Sequence, residues 1–128
     1  MDTGRVADPD GLLDTNILID ELRGIPQARI AIDACTSPAI SIISWIEVMA
    51  GTDASDEAAT RAYLSAFPSI PLTPEIAERA AAIRRNSRLK LPDAIILATA
   101  QIEGPLPISR NTKDFPAGQV GVHVPYTL

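Results

Sequence analysis

Apolar residues in this chain fall into short runs separated by single acids and turn residues. Gly11-Leu12-Leu13 leads into Asp14-Thr15-Asn16, and Ile17-Leu18-Ile19-Asp20-Glu21-Leu22 follows. The first run predicts a short buried strand ending near Asp14, the second a helix to about Arg23. Gly24 ends that helix and Pro26 opens another toward Cys35. Pro38 to Ile43 reads as the next strand, with Ile40 and Ile42 on one face. Ser44 and Glu47 match the S-x-x-E capping box, in which each side chain satisfies an end of the backbone, so a helix is expected from Ser44 to Gly51. Asp53 to Phe67 is expected as a surface helix rich in alanine, and Ser69 to Leu72 as a short extended piece. Thr73 is an N-cap and Pro74 a first helical residue, ahead of Ile76, Ala77, Ala80, Ala81 and Ile83 at helical spacing.

From Leu91 to Ile102 nearly every position is apolar, which predicts a helix buried on most sides that ends near Gly104. Asp93 is the one acid in it. Leu106 to Ser109 is a further strand, with Pro107 at a strand end or edge. Arg110 to Phe115 is a polar turn or short helix, and Gly121 to Val124 a last short strand. Strands alternate with helices throughout, so the fold class is α/β, a mainly parallel sheet with helices on both faces. One domain is expected over residues 11–128, behind an N-terminal extension, 1–10, with no assigned role.

The composition narrows the possibilities. A hydrophobic content of 46% excludes a disordered tail as the main character of the chain. No run is long and clean enough to span a bilayer. Met1 to Asp10 lacks an apolar core of the secretory type, and the single cysteine, Cys35, cannot form an internal disulfide, so a cytoplasmic location is expected. The net charge of -5 argues against general affinity for nucleic acid. The distribution qualifies this. Six of the 11 basic residues, Arg84, Arg85, Arg88, Lys90, Arg110 and Lys113, lie between positions 84 and 113, where only Asp93 and Glu103 oppose them. A local basic rim can hold a phosphate backbone on an acidic protein, and Arg88 and Arg110 are the expected contacts.

Asp14, Glu47, Asp93 and Asp114 each stand near the start of a helix or turn, and three of them (Asp14, Glu47, Asp114) follow a strand within a few residues. Ligand sites in open α/β sheets form at the carboxyl ends of the strands, where such residues can converge. Each acid alone reads equally as a cap on a helix N-terminus, which favours negative charge. Brought together, they repel one another unless divalent cations offset the charge. Oxygen ligands suit Mg²⁺ or Mn²⁺ rather than zinc. The only histidine, His123, lies in the last strand as a structural or surface residue, Cys35 reads as a small packed residue, and there is no glycine-rich phosphate loop. With metal, the chemistry implied is hydrolysis of a phosphodiester.

The four motifs are Leu-Leu-Asp14-Thr15-Asn16, Ser44-x-x-Glu47-x-x-x-Gly51, Leu91-Pro92-Asp93-Ala94 and Ser109-Arg110-Asn111-Thr112-Lys113-Asp114-Phe115. In this order and spacing the sequence resembles a PIN domain, and specifically the VapC-type toxins of bacterial toxin–antitoxin pairs, from Leu12 to Tyr126. The resemblance implies a three-layer α/β/α fold and RNA cleavage dependent on Mg²⁺ or Mn²⁺, often of structured RNA such as tRNA or rRNA. It assigns the metal and the catalysis to Asp14, Glu47, Asp93 and Asp114, with Asn111 competing for the fourth place. Thr15 and Ser109 support the site by hydrogen bonds, and Ser109 replaces a more usual threonine. The resemblance also implies a VapB-like antitoxin that lays a helix in a groove with an arginine near the acids, and a homodimer within a toxin–antitoxin hetero-oligomer. Trp45 and Met49 are expected as the exposed pair available to that helix. The alternatives are a PIN-like binding module that no longer cuts, and a response-regulator-like domain that takes up phosphate; Lys113 is a poor match to the strand-end lysine the latter needs.

Overall fold

The computed structural model describes residues 8–110 and 121–128. Four strands, β1 (Gly11–Leu13), β2 (Pro38–Ser41), β3 (Ser69–Ile70) and β4 (Leu106–Ile108), form a parallel sheet in the order β3-β2-β1-β4. Among the described residues six helices lie around it: α1 (Thr15–Leu22), α2 (Pro26–Asp33), α3 (Ile42–Ala50), α4 (Glu57–Leu64), α5 (Pro74–Asn86) and α6 (Leu91–Glu103). Beyond β4, the expected last strand is a single parallel bridge between Ile108 and His123.

The sheet separates two apolar layers. Successive residues of a strand face opposite sides, and β1 shows the consequence. Leu13 joins Ile17, Leu18, Ala28, Ile32 and Phe67 on the side of α1 and α2. Leu12 packs against Ile96 and Ala100 of α6 on the other. Helix α6 is buried from Ala94 to Ala100, and α5 covers it with Ile76 and Ala80. The architecture is therefore three-layer α/β/α.

Several ends form as the residues require. Thr73 Oγ1 accepts from the Ile76 amide at 3.2 Å, with Pro74 in the first turn. Gly104 closes α6 at φ 102°, a left-handed conformation that glycine adopts without a Cβ penalty. One expectation fails. Strand β2 stops at Ser41, whose Oγ accepts from the Ile43 amide at 3.1 Å, so Ser41 and not Ser44 caps α3. Ile42 and Ile43 belong to the first turn of the helix. A short apolar run is ambiguous between strand and helix, and the serine that ends the extended backbone decided it. Ser44 lies inside the helix, fully buried, and the capping box does not form. The helix expected over Asp53 to Phe67 is shorter, with 57–64 helical and turns on both sides.

Candidate metal centre

Strand β1 is where the strand order reverses. From it the chain steps to β2 and β3 on one side, and later to β4 on the other. The carboxyl ends of β1 and β4 therefore flank a crevice, the usual place for a ligand in an open α/β sheet. Asp14 leaves β1 at this point and Ser109 leaves β4. The Asp14 amide donates to the Ile108 carbonyl at 2.9 Å, and the Ser109 hydroxyl donates to Asp14 Oδ2 at 2.6 Å.

Asp14 is buried and is the N-cap of α1. Its Oδ1 accepts from the Thr15 amide at 2.7 Å. Asn16 Nδ2 donates to Asp14 Oδ2 at 3.2 Å and to Ser109 Oγ at 3.1 Å. Glu47 reaches the same end of the sheet from α3, with its Oε1 2.7 Å from the Thr15 hydroxyl, which also lies 3.0 Å from Ser44 Oγ. With the capping box gone, Glu47 is turned toward α1 rather than back to its own helix start. Asp93 is the third residue of α6, where unpaired amides and the helix dipole favour a negative charge. A cavity of about 250 Å³ joins these groups, lined by Asp14, Thr15, Asn16, Glu47, Lys90 and Asp93.

Three of the four expected acids thus share one cleft. Asp114 and Asn111 lie outside the described residues. Thr15 is bonded to Glu47 and Ser109 to Asp14. The donors are all oxygen, which suits a hard divalent cation. Among the described residues, no three acids, histidines or cysteines stand close enough to share one ion. The fit is one of donor chemistry and shared cavity.

The cations divide into two kinds. Arg88 is exposed, and Lys90 lines the cleft. Arg110, the other expected phosphate contact, is paired. Its Nε and Nη2 both meet Asp20, the latter at 3.1 Å. Burial pushes the Asp20 carboxyl up, but the hydrogen bonds from Arg110 and Tyr126 and the positive charges of Arg110 and Arg23 outweigh it and leave it below its ordinary value.

Trp45 and Met49 are not the exposed pair expected. Both are half-buried against the core around Leu13 and Val48, and the Arg61 guanidinium lies 5.4 Å from the Trp45 ring centroid. They share the inner stripe of α3 with Val48, while Ile46, one position round the helix, is 49% exposed. Leu22 on α1 is 43% exposed.

Sequence reasoning missed Asn16, Ser44 and Asp20. Asn16 was quoted within a motif without a role. Asp20 carried a usable signal: it lies three residues after Ile17, on the buried stripe of α1, where an acid needs a partner.

A three-layer parallel α/β fold with acids converging at the switch point of its sheet defines the class. The chain belongs to the PIN-domain family, whose model matches residues 11–116. It is similar to a chain of a toxin-antitoxin complex from Klebsiella pneumoniae, at 50% identity and a TM-score of 0.87, over 92% of this chain and 99% of that one. FitAcB from Neisseria gonorrhoeae matches at 23% identity and a TM-score of 0.75, over 92% and 99%. VapBC2 from Rickettsia felis, bound to a DNA fragment from its promoter, matches at 18% and 0.68, over 82% and 90%. The last two bear on the fold alone. No curated protein matches the chain.

Proposed function

We propose that this chain is the toxin of a toxin–antitoxin pair, a cytoplasmic endoribonuclease that works with Mg²⁺ or Mn²⁺. The observation that carries the reading is the meeting of Asp14, Glu47 and Asp93 on one cleft at the carboxyl ends of β1 and β4. The half-identical Klebsiella chain, drawn from such a pair, supports it. Asp14, Glu47 and Asp93 would each offer a carboxylate to one or more divalent cations in the cleft, with Asp114 or Asn111 completing the set. When bound, the ion supplies Lewis acidity toward water and the phosphodiester, and positive charge toward the leaving oxygen. The chain's own part is orientation. Ser109 and Asn16 fix the Asp14 carboxylate, and the Thr15 hydroxyl fixes Glu47. Arg88 and Lys90 would hold the backbone of a structured RNA.

The antitoxin reading has its own geometry. A groove of about 560 Å³, lined by Ile19, Leu22, Val48 and Thr60 among others, includes Glu47. It adjoins the acidic cleft, which Ile19 and Glu47 also line. An amphipathic helix seated there could extend an arginine to the carboxylates, which bind guanidinium in two-pronged geometry. Leu22 is an exposed apolar anchor in this groove, while Trp45, Ile46 and Met49 lie on α3 outside its lining. A homodimer within the hetero-oligomer is part of the same proposal.

The test is cleavage of tRNA and rRNA by the purified protein with Mn²⁺, with Mg²⁺ and with chelator. Asp14→Asn and Asp93→Asn should abolish cleavage with the fold retained, and removing one of several like charges should raise the metal-free melting temperature or leave it unchanged. Wild-type cutting by both variants would make the assignment wrong. Glu47→Gln should lose activity without losing stability. A wild type that binds its partner but cuts no RNA with either metal would favour the binding module.

A further inference from the structure

Asp20 lies about 9 Å along α1 from Asp14, at roughly 1.5 Å per residue. It does not line the acidic cleft, yet it is completely buried. A carboxylate in such a place is costly unless paired and hydrogen-bonded. Its partners come from the far end of the chain: both Nε and Nη2 of Arg110, and the Tyr126 hydroxyl at 2.7 Å from Oδ2.

Arg110 is the residue after Ser109. The last sheet-type bond of this segment is from the Ser109 amide to the His123 carbonyl, at 3.0 Å. Ser109 is thus the first residue past the strand and Arg110 the second, and Asp20 anchors Arg110. Its backbone amide donates to Asn16 Oδ1 at 3.4 Å. Asn16 and Ser109 in turn both donate to Asp14 Oδ2. A closed ring results, with Asp14 at the cap of α1 and Asn16 and Asp20 on it as one side, and Ser109-Arg110 as the other.

We infer that Asp20 is a positioning residue for the Asp14 carboxylate: by gripping Arg110 in a two-pronged pair it fixes the adjacent Ser109 and the Asn16 amide, which aim Asp14 into the cleft. The inference rests on the reading of Asp14 as a metal ligand. It gives Arg110 a task inside the site's support rather than on the RNA.

The test is Mn²⁺ binding without RNA, followed by the electron-paramagnetic signal of the free ion, with each variant held well below its melting temperature. Groups that orient a metal ligand are worth about 10- to 100-fold in affinity. Asp20→Asn and Arg110→Gln should each weaken Mn²⁺ binding by about that factor. Arg110→Lys keeps a cation opposite Asp20 but loses the planar fork, and should fall between them and wild type. The control is Tyr63→Phe, which removes a hydroxyl that bonds Glu21 at 2.6 Å, on the same helix. It should melt lower and bind Mn²⁺ as wild type does. Unchanged affinity in Asp20→Asn and Arg110→Gln would overturn the inference, as would an equal loss in Tyr63→Phe, which would reduce the effect to stability. If Asp20→Asn does not fold, Arg110→Lys decides alone, and wild-type affinity there overturns the idea. A folded wild type that binds no Mn²⁺ would remove the functional reading and this inference with it. Loss confined to the variants leaves the functional reading standing.

Discussion

Asp20 and Glu21 are neighbours on α1, and each holds one arginine and one tyrosine hydroxyl, yet they do different work. Glu21 pairs with Arg29, eight residues away on α2, and with Tyr63 on α4. Asp20 pairs with Arg110 and Tyr126, 90 and 106 residues away. The Glu21 side chain is 13% exposed and that of its arginine 50%, whereas the Asp20 side chain is 1% exposed and that of its arginine 31%. The Glu21 set ties helices that pack together anyway, and water can replace part of it. The Asp20 set closes loops of 90 and 106 residues. Bonds between distant residues are made only after the entropy of loop closure has been met, so this pair forms with the assembled fold and reports on it. Both tyrosines show their burial: desolvation, then the neighbouring carboxylate, pushes each hydroxyl well above its ordinary pKa.

The sharpest way to break the comparison is to remove each acid's charge. Asp20→Asn leaves Arg110 facing a neutral amide, and losing one partner of a buried pair costs up to about 3–5 kcal/mol. Arg110 can partly rehydrate, since 31% of its side chain is exposed, so we expect about 2 kcal/mol, or about 8 °C in melting temperature. Glu21→Gln should cost about half of that. Equal losses would show the two sets to be equivalent supports.

Acid titration separates them further. The Asp20 carboxyl lies below its ordinary value in the folded protein. Between the folded and unfolded values the unfolded chain binds more protons, so stability rises with pH there. The contribution is complete above the ordinary carboxylate value and is lost as pH falls through the lower, folded one. Asp20→Asn should therefore flatten the acid limb of the stability curve below about pH 4. Unfolding midpoints between pH 2 and pH 5 would test it, and an unchanged slope in that window counts against the pair.

The contrast also explains what could be read from the residues. Local chemistry was legible: Asp14 at a strand end, Thr73 with Pro74 at a helix start, Gly104 at a helix end, the buried run after Asp93. So was the convergence of Asp14, Glu47 and Asp93, because a parallel α/β sheet brings strand ends together whatever the sequence gaps. The capping box at Ser44 misled because its two residues are present but the strand stops three residues earlier. Trp45 and Met49 misled because spacing gives a stripe without saying which way it faces. The Asp20 to Arg110 pair had half a signal, a buried acid, and no local mark of a partner 90 residues away.

RNA binding offers a test of moderate size. Each phosphate contact contributes about 0.7–0.9 to the slope of log affinity against log salt. Arg88→Gln should flatten that slope by about one contact. Arg110→Gln should leave it unchanged, because its guanidinium faces Asp20. The comparison is best made in Ca²⁺ or chelator, so that binding is measured without cleavage. A flatter slope for Arg110→Gln would return that residue to the RNA surface.

The smallest effect belongs to the outer edge of the Glu21 set. Arg29 meets Glu21 and, at 2.9 Å, Asp33 one turn along α2, whose side chain is 64% exposed. Salt and water screen such pairs, which are worth about 0–1 kcal/mol. Arg29→Ala should cost about 0.5 kcal/mol, or about 2 °C, and high salt should erase most of the difference. Mn²⁺ affinity and RNA cleavage should not move, since no contact of Arg29 reaches the acidic cleft. If Arg29→Ala instead costs as much as Asp20→Asn, exposure does not separate these sets, and the buried pair loses its special place. A small, salt-sensitive loss beside a large one at Asp20 would show that two adjacent acids, with the same kinds of partner, are separated by burial and by the length of chain each one closes.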